Sequence, residues 1–184
     1  MKEVLISIRP QWCEKIASGE KTIEVRKTAP KIQPPFKCYI YMTKGFASYP
    51  VGNGMWCHNN GGMVVIGEFV CDFVLDIYPP FGNKTEGTCL SASEMYEYAG
   101  GKQLYGWHIS NLELYNKPKS LSEFRMLCKE YDKDSPYCDD CEYYYCESNE
   151  SVGFYDECTC DGLKHMTRPP QSWCYVKGGE GDDY

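Results

Sequence analysis

The sequence is best understood from the segment Ser18-Gly19-Glu20-Lys21-Thr22-Ile23-Glu24-Val25-Arg26-Lys27. The residues before it, 10–17, predict a short helix, because a proline suits a first turn and a glycine suits the position just past a helix end. From Thr22 onward apolar residues stand at every second position, which is the period of a β-strand. The segment therefore predicts the end of a helix followed at once by a strand.

The predicted strand has one apolar and one polar face. Ile23 and Val25 point to one side, whereas Glu24 and Arg26 point to the other, and Lys21 stands just before the strand. The charged face is either an ion pair on a solvated sheet surface or the polar floor of a ligand site. The first is the commoner case, because most charged strand faces are only solvated. Because these charges face away from the core, we expect that removing Lys21 or Arg26 changes stability by no more than about 0.5 kcal/mol. Removing Glu24 should lower stability sharply if it forms a buried pair with Arg26, and hardly at all if the two line an open cleft.

The spacing Gly19-x-Lys21-x-x-Glu24-x-Arg26 resembles the G-x-K-x-x-E-x-R signature of ASCH domains, a branch of the PUA-like superfamily of small β-barrels. Other segments fit that family's order of elements: 5–10 as the first strand and helix start, 37–44 as a central strand, 64–71 as the next strand and 171–176 as the closing strand. The resemblance covers approximately residues 3–127 and 166–177. It implies an α+β fold, a small β-barrel flanked by short helices.

The resemblance also implies a function, because PUA-like domains typically bind RNA or modified nucleobases. Lys21 and Arg26 would contact phosphate, and Glu24 would orient Arg26 or accept from a base amino group. Further candidates for stacking on an unpaired base or for phosphate contact are Tyr41, Lys44, Trp56, Trp107 and Trp173. Trp107 and Trp173 lie in strand patterns that favour a place in the core.

A hydrolase acting on a modified nucleoside or on RNA is an alternative, since a few ASCH proteins resemble hydrolases or nucleases. One branch resembles an acylcytidine amidohydrolase with a lysine, a threonine three residues later and a distant glutamate. Lys21 matches the lysine, but Glu24 occupies the threonine position, so the nucleophile is missing. A Lys21–Glu24 pair, or Glu68 in a neighbouring strand pattern, could act as general acid and base. Binding without turnover is the favoured interpretation.

A cysteine-rich segment interrupts the strand patterns, with six of the 12 cysteines between residues 128 and 160. Nothing in the sequence indicates export, so zinc explains the cluster better than disulfides do. Cys138-x-x-Cys141 is a zinc-knuckle spacing, and Cys158-x-Cys160 is expected to complete a closed, structural site. Unligated thiols in a loop are the other interpretation. Three further residues are alternative ligands: Cys128, Cys146 and His165.

Charge divides the chain into three parts. The net charge is −7, yet residues 128–161 carry 11 acidic and 2 basic side chains, and the tail, 178–184, adds three acids. The remainder, 1–127 with 162–177, has 12 acidic and 17 basic residues. We therefore expect a mildly basic barrel, as a nucleic-acid surface requires, with an acidic insertion and an acidic tail. The insertion makes a protein-interaction module the third functional hypothesis.

No segment is typical of secretion or of membrane insertion. Residues 4–8 are apolar but too short for a signal-peptide core, and no apolar run approaches the length of a transmembrane helix. The sequence therefore predicts a cytoplasmic protein without a membrane partner, and its oligomeric state is left open.

The other elements follow from local patterns. Residues 45–62, with five glycines, predict a loop; residues 63–78 predict one long or bent strand, and 105–115 another. Two capping boxes, Ser91 with Glu94 and Ser120 with Glu123, predict helix starts, the first helix ending at the glycines 100–101.

Overall fold

The computed structural model describes residues 3–50, 56–82, 85–127 and 163–177, in which strands predominate. The helices are α1 (Pro10–Ala17) and α2 (Ala92–Ala99), with a short 3-10 helix at Leu121–Glu123. The strands are β1 (Glu3–Ile8), β2 (Ile23–Arg26), β3 (Phe36–Met42), β4 (Gly45–Pro50), β5 (Trp56–Gly61), β6 (Val64–Cys71), β7 (Val74–Ile77), β8 (Leu104–His108), β9 (Ser110–Lys119), β10 (Arg125–Leu127), β11 (Leu163–His165) and β12 (Trp173–Val176). The predicted α+β class is confirmed.

A five-stranded sheet in the order β12-β1-β3-β6-β9 carries the main core. Strands β1 and β3 are parallel, so the chain must cross over between them, and α1 and β2 lie in that connection. The sheet is buried on both faces, because alternate residues of β1 enter different apolar clusters. Ile6 packs in the cluster that contains Trp107, whereas Leu5 packs with Tyr39 and Phe124 on the other side.

A smaller sheet, β2-β8-β7, packs between the main sheet and α2. The register places Val25 opposite Gly106, and these residues face α2, where Met95 and Ala99 pack. Trp107 faces the other way and meets Phe36 of the main sheet. Side chains alternate along a strand, so Glu24 shares the Trp107 face and points toward the main sheet. This arrangement positions the charged residues of the signature.

The two α-helices begin and end where the sequence predicts. Ser91 and Glu94 form the predicted capping box, and Gly100 ends α2 in the left-handed conformation with φ 58°. Gly19, just past the end of α1, has φ 76°. Ser120 and Glu123 also form their capping box, although only a 3-10 turn follows. No helix in the described ranges is long and apolar enough to span a membrane.

Three local predictions are wrong in detail. Within the range 45–62, predicted as a loop, the described residues Gly45–Pro50 and Trp56–Gly61 pair as the antiparallel strands β4 and β5. The alternation is hidden because Phe46 is 57% exposed while its neighbour Ala47 is fully buried. Residues 63–78 and 105–115 each form two strands rather than one. In both cases the chain passes between the two sheets, at residues 72–73 and at Ile109.

The predicted closed barrel is not present among the strands that the structure describes. Those strands form four separate sheets, of five, three, two and two strands. The five-stranded sheet ends at β12 and β9, and pairing moves to the smaller sheet at 72–73 instead of continuing round a barrel. The architecture within these ranges is therefore two larger open sheets packed together, with two helices and two further two-stranded ladders.

The ends of the predicted insertion lie side by side. Strands β10 and β11 are antiparallel, with Leu127 opposite Leu163. The cysteine-rich insertion, 128–161, and the acidic tail, 178–184, lie outside the described residues. The chain thus leaves and re-enters the described fold at one two-stranded ladder.

Candidate functional site

A cleft of about 410 Å³ lies where α1, β2 and α2 approach one another. The parallel strands β1 and β3 both end at this cleft, where Ser7 and Thr43 line it, and Arg9 and Trp12 line it from the start of α1. The partial positive charge of a helix N-terminus favours anions there. The volume falls within the range of about 300–1,000 Å³ that is typical of small-molecule sites.

The signature residues form a buried ionic network at the floor of the cleft. Glu24 Oε1 lies 3.0 Å from Arg26 Nη2, and Glu24 Oε2 lies 3.4 Å from Lys21 Nζ. Lys21, Glu24 and Arg26 are only 3%, 6% and 8% exposed. The ion pair expected on a sheet surface is therefore present but buried, and it also lines a cleft. The premise that these charges face away from the core is wrong, because all three side chains are buried. A small effect on stability is therefore no longer expected, since burial removes the compensation by water.

Local chain geometry brings Lys21 to this place. After the left-handed Gly19, the Lys21 N–H donates to the Lys15 carbonyl at 2.9 Å, which turns the chain back against α1. The next two N–H groups, of Thr22 and Ile23, both donate to the carbonyl of Gly87 at 2.8 and 2.9 Å. Gly87 is required there, since its φ is 70° and a Cβ would collide with Thr22 Oγ1.

Backbone carbonyls hold both cations of the network. Lys21 Nζ donates to Ile23 O at 2.8 Å and to Thr88 O at 2.6 Å, while Arg26 Nη2 donates to Ser7 O at 2.6 Å. With Glu24 Oε2, three oxygens surround the Lys21 nitrogen, and a protonated lysine has three N–H donors. Lys21 Nζ is thus held in place by two backbone carbonyls and the Glu24 carboxylate.

The network is not fully satisfied within the described part of the chain. Arg26 Nε is buried and has no hydrogen-bond partner there, and the buried Glu24 Oε2 has only its 3.4 Å ionic contact with Lys21 Nζ. An unpaired buried polar atom costs about 1–3 kcal/mol, so such atoms need a reason. The charged side chains of the cleft are Arg9, Lys21, Arg26 and Glu24, a formal excess of positive charge. The floor is therefore suited to an anionic ligand.

Two aromatic side chains flank the charged floor. Trp12 projects from α1, with Lys21 Nζ 5.3 Å from its ring centroid, and Tyr98 projects from α2, with Lys27 Nζ 4.9 Å from its ring. Burial raises the pKa of Tyr98, so its ring is a neutral phenol at neutral pH. None of Arg9, Trp12 and Tyr98 was among the binding residues predicted from the sequence. Arg9 and Trp12 could have been found from their place at the start of the helix that leads into the signature, whereas no local pattern signals Tyr98.

The other predicted binding residues lie elsewhere. Tyr41 is buried in the apolar cluster on the far side of the main sheet, and burial raises its pKa. Lys44 is exposed and follows Thr43, but it does not itself line the cleft. The side chain of Trp56 is outside the described part of the structure, although its backbone belongs to β5. Among the predicted binding residues whose side chains the structure describes, those that line the cleft are Lys21, Glu24 and Arg26.

Both tryptophans that were expected in the core belong to it. Trp107 is fully buried, and its ring lies 5.8 Å from that of Phe36 and 5.7 Å from that of Trp173. Trp173 is half-buried against the same cluster, and its Nε1 donates to Thr28 Oγ1 at 3.0 Å.

Glu68, the remaining catalytic candidate, faces away from the cleft. It stands opposite Tyr39, whose ring packs in the cluster beyond the main sheet. Lys37 Nζ lies 2.7 Å from its carboxylate, and the Tyr115 hydroxyl donates to it at 2.5 Å. Burial acts to raise the pKa of Glu68, but these two hydrogen bonds outweigh it and lower the pKa below the ordinary 4.5. Glu68 is thus a paired carboxylate, distant from Lys21 and Glu24.

Substitution of Glu68 tests this pairing through pH. Because its folded pKa lies below 4.5, the ionised carboxylate stabilises the fold above that pH and stops doing so as pH falls through the folded value. We expect Glu68→Gln to lower the free energy of unfolding at pH 7 by at most about 1 kcal/mol, since the pair is partly exposed. The difference from the parent should vanish in acid when both are unfolded in urea across a pH series. Tyr115→Phe should show a smaller difference of the same sign, and a difference that does not depend on pH would contradict the assignment.

No metal site is formed by the residues that the structure describes, since they contain no group of three or more His, Cys, Asp or Glu side chains arranged to hold an ion. His165 is exposed, with its Nδ1 2.7 Å from the Ser122 carbonyl. The remaining predicted ligands all lie outside the described residues: Cys128, Cys138, Cys141, Cys146, Cys158 and Cys160. Within the described ranges Cys13, Cys38 and Cys71 are free and buried, where they act as small apolar residues.

Structural neighbours of this chain are ASCH proteins. The crystal structure of ASCH from Zymomonas mobilis shares 21% identity, covers 65% of this chain and 73% of its own, and has a TM-score of 0.48. Two single-substitution variants of that protein share 21% and 22% identity, cover 66% and 65% of this chain and 77% and 74% of their own, and have TM-scores of 0.46 and 0.48. No protein-family model matches the sequence, and no curated protein matches it significantly. The functional argument therefore depends on the site itself.

Proposed function

We propose that this chain is an ASCH-type, PUA-like domain that binds a nucleotide or an unpaired nucleobase of RNA in the cleft between α1 and α2. One observation carries the proposal: the buried network of Lys21, Glu24 and Arg26 forms the floor of a cleft that Trp12 and Tyr98 flank. Sites that bind nucleotides combine a positively charged surface for the phosphate with aromatic side chains for the base, and this cleft has both.

Each part of the cleft has a role in this proposal. Arg9, beside the N-terminus of α1, offers an exposed guanidinium to phosphate. Trp12 and Tyr98 offer ring faces to a base, and base–aromatic stacking is worth about 1–3 kcal/mol per base. The contacts of Arg26 described above use only Nη2, so other N–H donors of its guanidinium are available to a ligand. Glu24 holds Arg26 in place, and Lys21 adds a fixed positive charge.

The size of the cleft decides which form of nucleic acid can enter. A volume of about 410 Å³ accommodates a single nucleotide but not a duplex. Proteins that read single-stranded RNA turn an unpaired base out and stack it on an aromatic side chain. We therefore propose free nucleotides and single-stranded RNA as the ligand class, with double-stranded RNA excluded.

Substitution of Tyr98 tests the proposal. We expect Tyr98→Ala to weaken binding of a labelled single-stranded RNA by about 5- to 150-fold, which corresponds to a stacking contribution of about 1–3 kcal/mol. Fluorescence anisotropy against the RNA, and calorimetry against the four nucleoside monophosphates, measure this. Tyr96→Ala is the matched control, because Tyr96 is exposed on the same helix but does not line the cleft.

The salt dependence gives a second measurement in the same assay. Removing one phosphate contact by Arg9→Ala should reduce the slope of log affinity against log salt by about 0.7. Equal effects of Tyr98→Ala and Tyr96→Ala, or tighter binding of a duplex than of a single strand, would contradict the proposal.

The hydrolase alternative is separated from binding by turnover. Lys21 is held by three oxygens, and Glu24 occupies the place where the resembling amidohydrolases have threonine. We therefore propose a binder and expect acylated nucleosides and single-stranded RNA to be recovered intact after incubation, as judged by mass spectrometry. Product formation that disappears in Glu24→Gln would establish the hydrolase instead.

We also propose that the insertion, 128–161, is a separate zinc-binding unit that uses Cys138, Cys141, Cys158 and Cys160. The support is the clustering and spacing of these thiols. The cytoplasmic location that we propose would keep them reduced. Leu127 lies opposite Leu163, so a two-residue Asn-Gly turn can connect β10 to β11.

Replacement of residues 128–162 by that turn is expected to leave a chain that unfolds cooperatively, with a thermal midpoint no lower than that of the parent, since a shorter loop loses less entropy on folding. Elemental analysis should show about one zinc per parent chain and none in the shortened chain. Cys89→Ser is the control, because Cys89 is free and lies in the described fold. Loss of cooperative unfolding would show that the insertion belongs to the core, and a parent chain without zinc would refute the metal site.

A further inference from the structure

A second concave surface lies on the smaller sheet, away from the nucleotide cleft. It has a volume of about 640 Å³, and its lining shares no residue with the cleft. Its apolar part is Ile23, Leu75 and Ile77, and its polar rim includes Asp76 and Glu86. We call this surface the β7 groove.

The groove exists because α2 covers only part of one face of the sheet. Gly106 of β8 stands between Val25 and Leu75 in one cross-strand row. A Cβ at Gly106 would lie 2.9 Å from Ile23 Cγ2 and 3.0 Å from Ile77 Cδ1, so those side chains close over the glycine and make an apolar floor. Helix α2 packs on Val25 and Ile77, whereas Leu75 stays 45% exposed.

The groove runs along an open strand edge. β7 pairs with β8 on one side, and no described strand pairs with its other edge. Outward-facing N–H and C=O groups of such an edge can add a further strand. Phe73, which precedes β7, is 41% exposed, and its ring stacks on His108 at 4.4 Å between centroids. His108 is in turn held by Asp72 at 2.6 Å, so the aromatic end of the edge is preorganised.

The charge of the groove specifies the occupant. Asp76 and Glu86 line it, Asp72 lies at its aromatic end, and no lysine or arginine is among its lining residues. The chain's own acidic segments, 128–161 and 178–184, would be repelled. A second copy paired through β7 would bring the same acidic side chains together. A complementary occupant is therefore a foreign, basic segment.

We propose that the β7 groove is a docking surface for an extended peptide of a partner protein with alternating apolar and basic residues. The peptide adds to β7 as a strand, places apolar side chains against Leu75 and Phe73, and places lysine or arginine near Asp76 and Glu86. Main-chain pairing supplies affinity, and the alternation supplies specificity. This docking is independent of the nucleotide cleft.

A synthetic acetylated heptapeptide of alternating lysine and valine is the probe. We expect isothermal titration calorimetry to detect its binding at 0.15 M salt, and the same peptide with serine in place of valine to bind at least tenfold more weakly. Leu75→Lys should weaken binding at least tenfold, whereas Phe46→Lys should not change it, because Phe46 is an exposed apolar residue outside the groove. Hydrogen exchange should slow in β7 when the valine peptide is present.

Glu86→Lys, an exposed site, repeats the test through charge alone and should also weaken binding. Tyr98→Ala should leave peptide binding unchanged. Equal affinity for the serine peptide, or an unchanged affinity in both Leu75→Lys and Glu86→Lys, would overturn the proposal. A parent chain that is dimeric by light scattering and becomes monomeric in Leu75→Lys would overturn it in favour of self-association.

Discussion

Glu24→Ala is expected to lower the free energy of unfolding by about 3–5 kcal/mol, the range observed when one partner of a buried ion pair is removed. Glu24 is 6% exposed and stands between Lys21 and Arg26. Its loss would leave two cations 3% and 8% exposed with no anion between them. The carbonyls that hold them, Ile23 O, Thr88 O and Ser7 O, carry only partial charges. Urea unfolding at pH 7 measures the difference.

The matched control is Glu20→Ala, because Glu20 also pairs with a lysine but does so in solvent. Lys15 Nζ lies 2.8 Å from Glu20, and both side chains are largely exposed. Exposed pairs contribute at most about 1 kcal/mol, so Glu20→Ala should be nearly silent. If Glu24→Ala changed stability no more than Glu20→Ala does, the network would not be a buried one, and the geometry of the cleft floor would have to be rejected.

A buried ionic network of this kind is not explained by a need for stability. Apolar residues of similar volume often stabilise a core as well as a buried ion pair does, or better. Here two buried atoms, Glu24 Oε2 and Arg26 Nε, also lack hydrogen bonds within the described residues. Stability that is given up locally is typical of functional sites. The cost of the network therefore supports the proposal that it is the floor of a ligand site.

Local signals predicted the elements whose boundaries depend on nearby residues. The first helix and both capping boxes lie where the sequence placed them, because a proline, a glycine or a serine–glutamate pair acts within one turn of chain. The strand at 64–71, implied by the family resemblance, is present as β6. The face of Glu24 and Arg26 followed from alternation along four residues of strand. These element boundaries, and the prediction that Glu24 and Arg26 share the strand face opposite Ile23 and Val25, are confirmed.

Burial and assembly depend on residues that are distant in the sequence. The Glu24 face is buried because the smaller sheet packs on the main sheet. The sequence pattern of residues 18–27 contains no information about that packing. Tyr98 reaches the cleft because α2 packs on Val25 and Ile77. The barrel was replaced by two open sheets because the chain changes sheet at 72–73 and at Ile109, where the local pattern looks continuous.

Trp107→Ala is expected to lower the free energy of unfolding by about 3–5 kcal/mol, as large-to-small changes of buried tryptophan do. Trp107 is fully buried between the two sheets, with its ring edge-on to Phe36 at 5.8 Å and 85°. Its Nε1 has no hydrogen-bond partner within the described ranges. The loss is therefore one of packing and not of a hydrogen bond, and Trp107→Phe should cost much less than Trp107→Ala.

Trp173→Ala tests whether the effect is specific to packing between the two sheets or follows from the loss of any tryptophan in this cluster. Trp173 contacts Trp107 at 5.7 Å but is half-buried on the edge strand β12, so its truncation leaves a site that water can fill and should cost less. Trp107 also stands directly opposite Glu24 in the β2–β8 ladder. A cavity there would loosen the floor of the cleft, so we expect Trp107→Ala to weaken RNA binding in the anisotropy assay while Trp107→Phe retains it. If Trp107→Ala and Trp173→Ala lowered stability equally, the contact between the two sheets would not depend on Trp107. If Trp107→Ala lowered stability but left RNA binding unchanged, the cleft floor would not depend on the packing of Trp107.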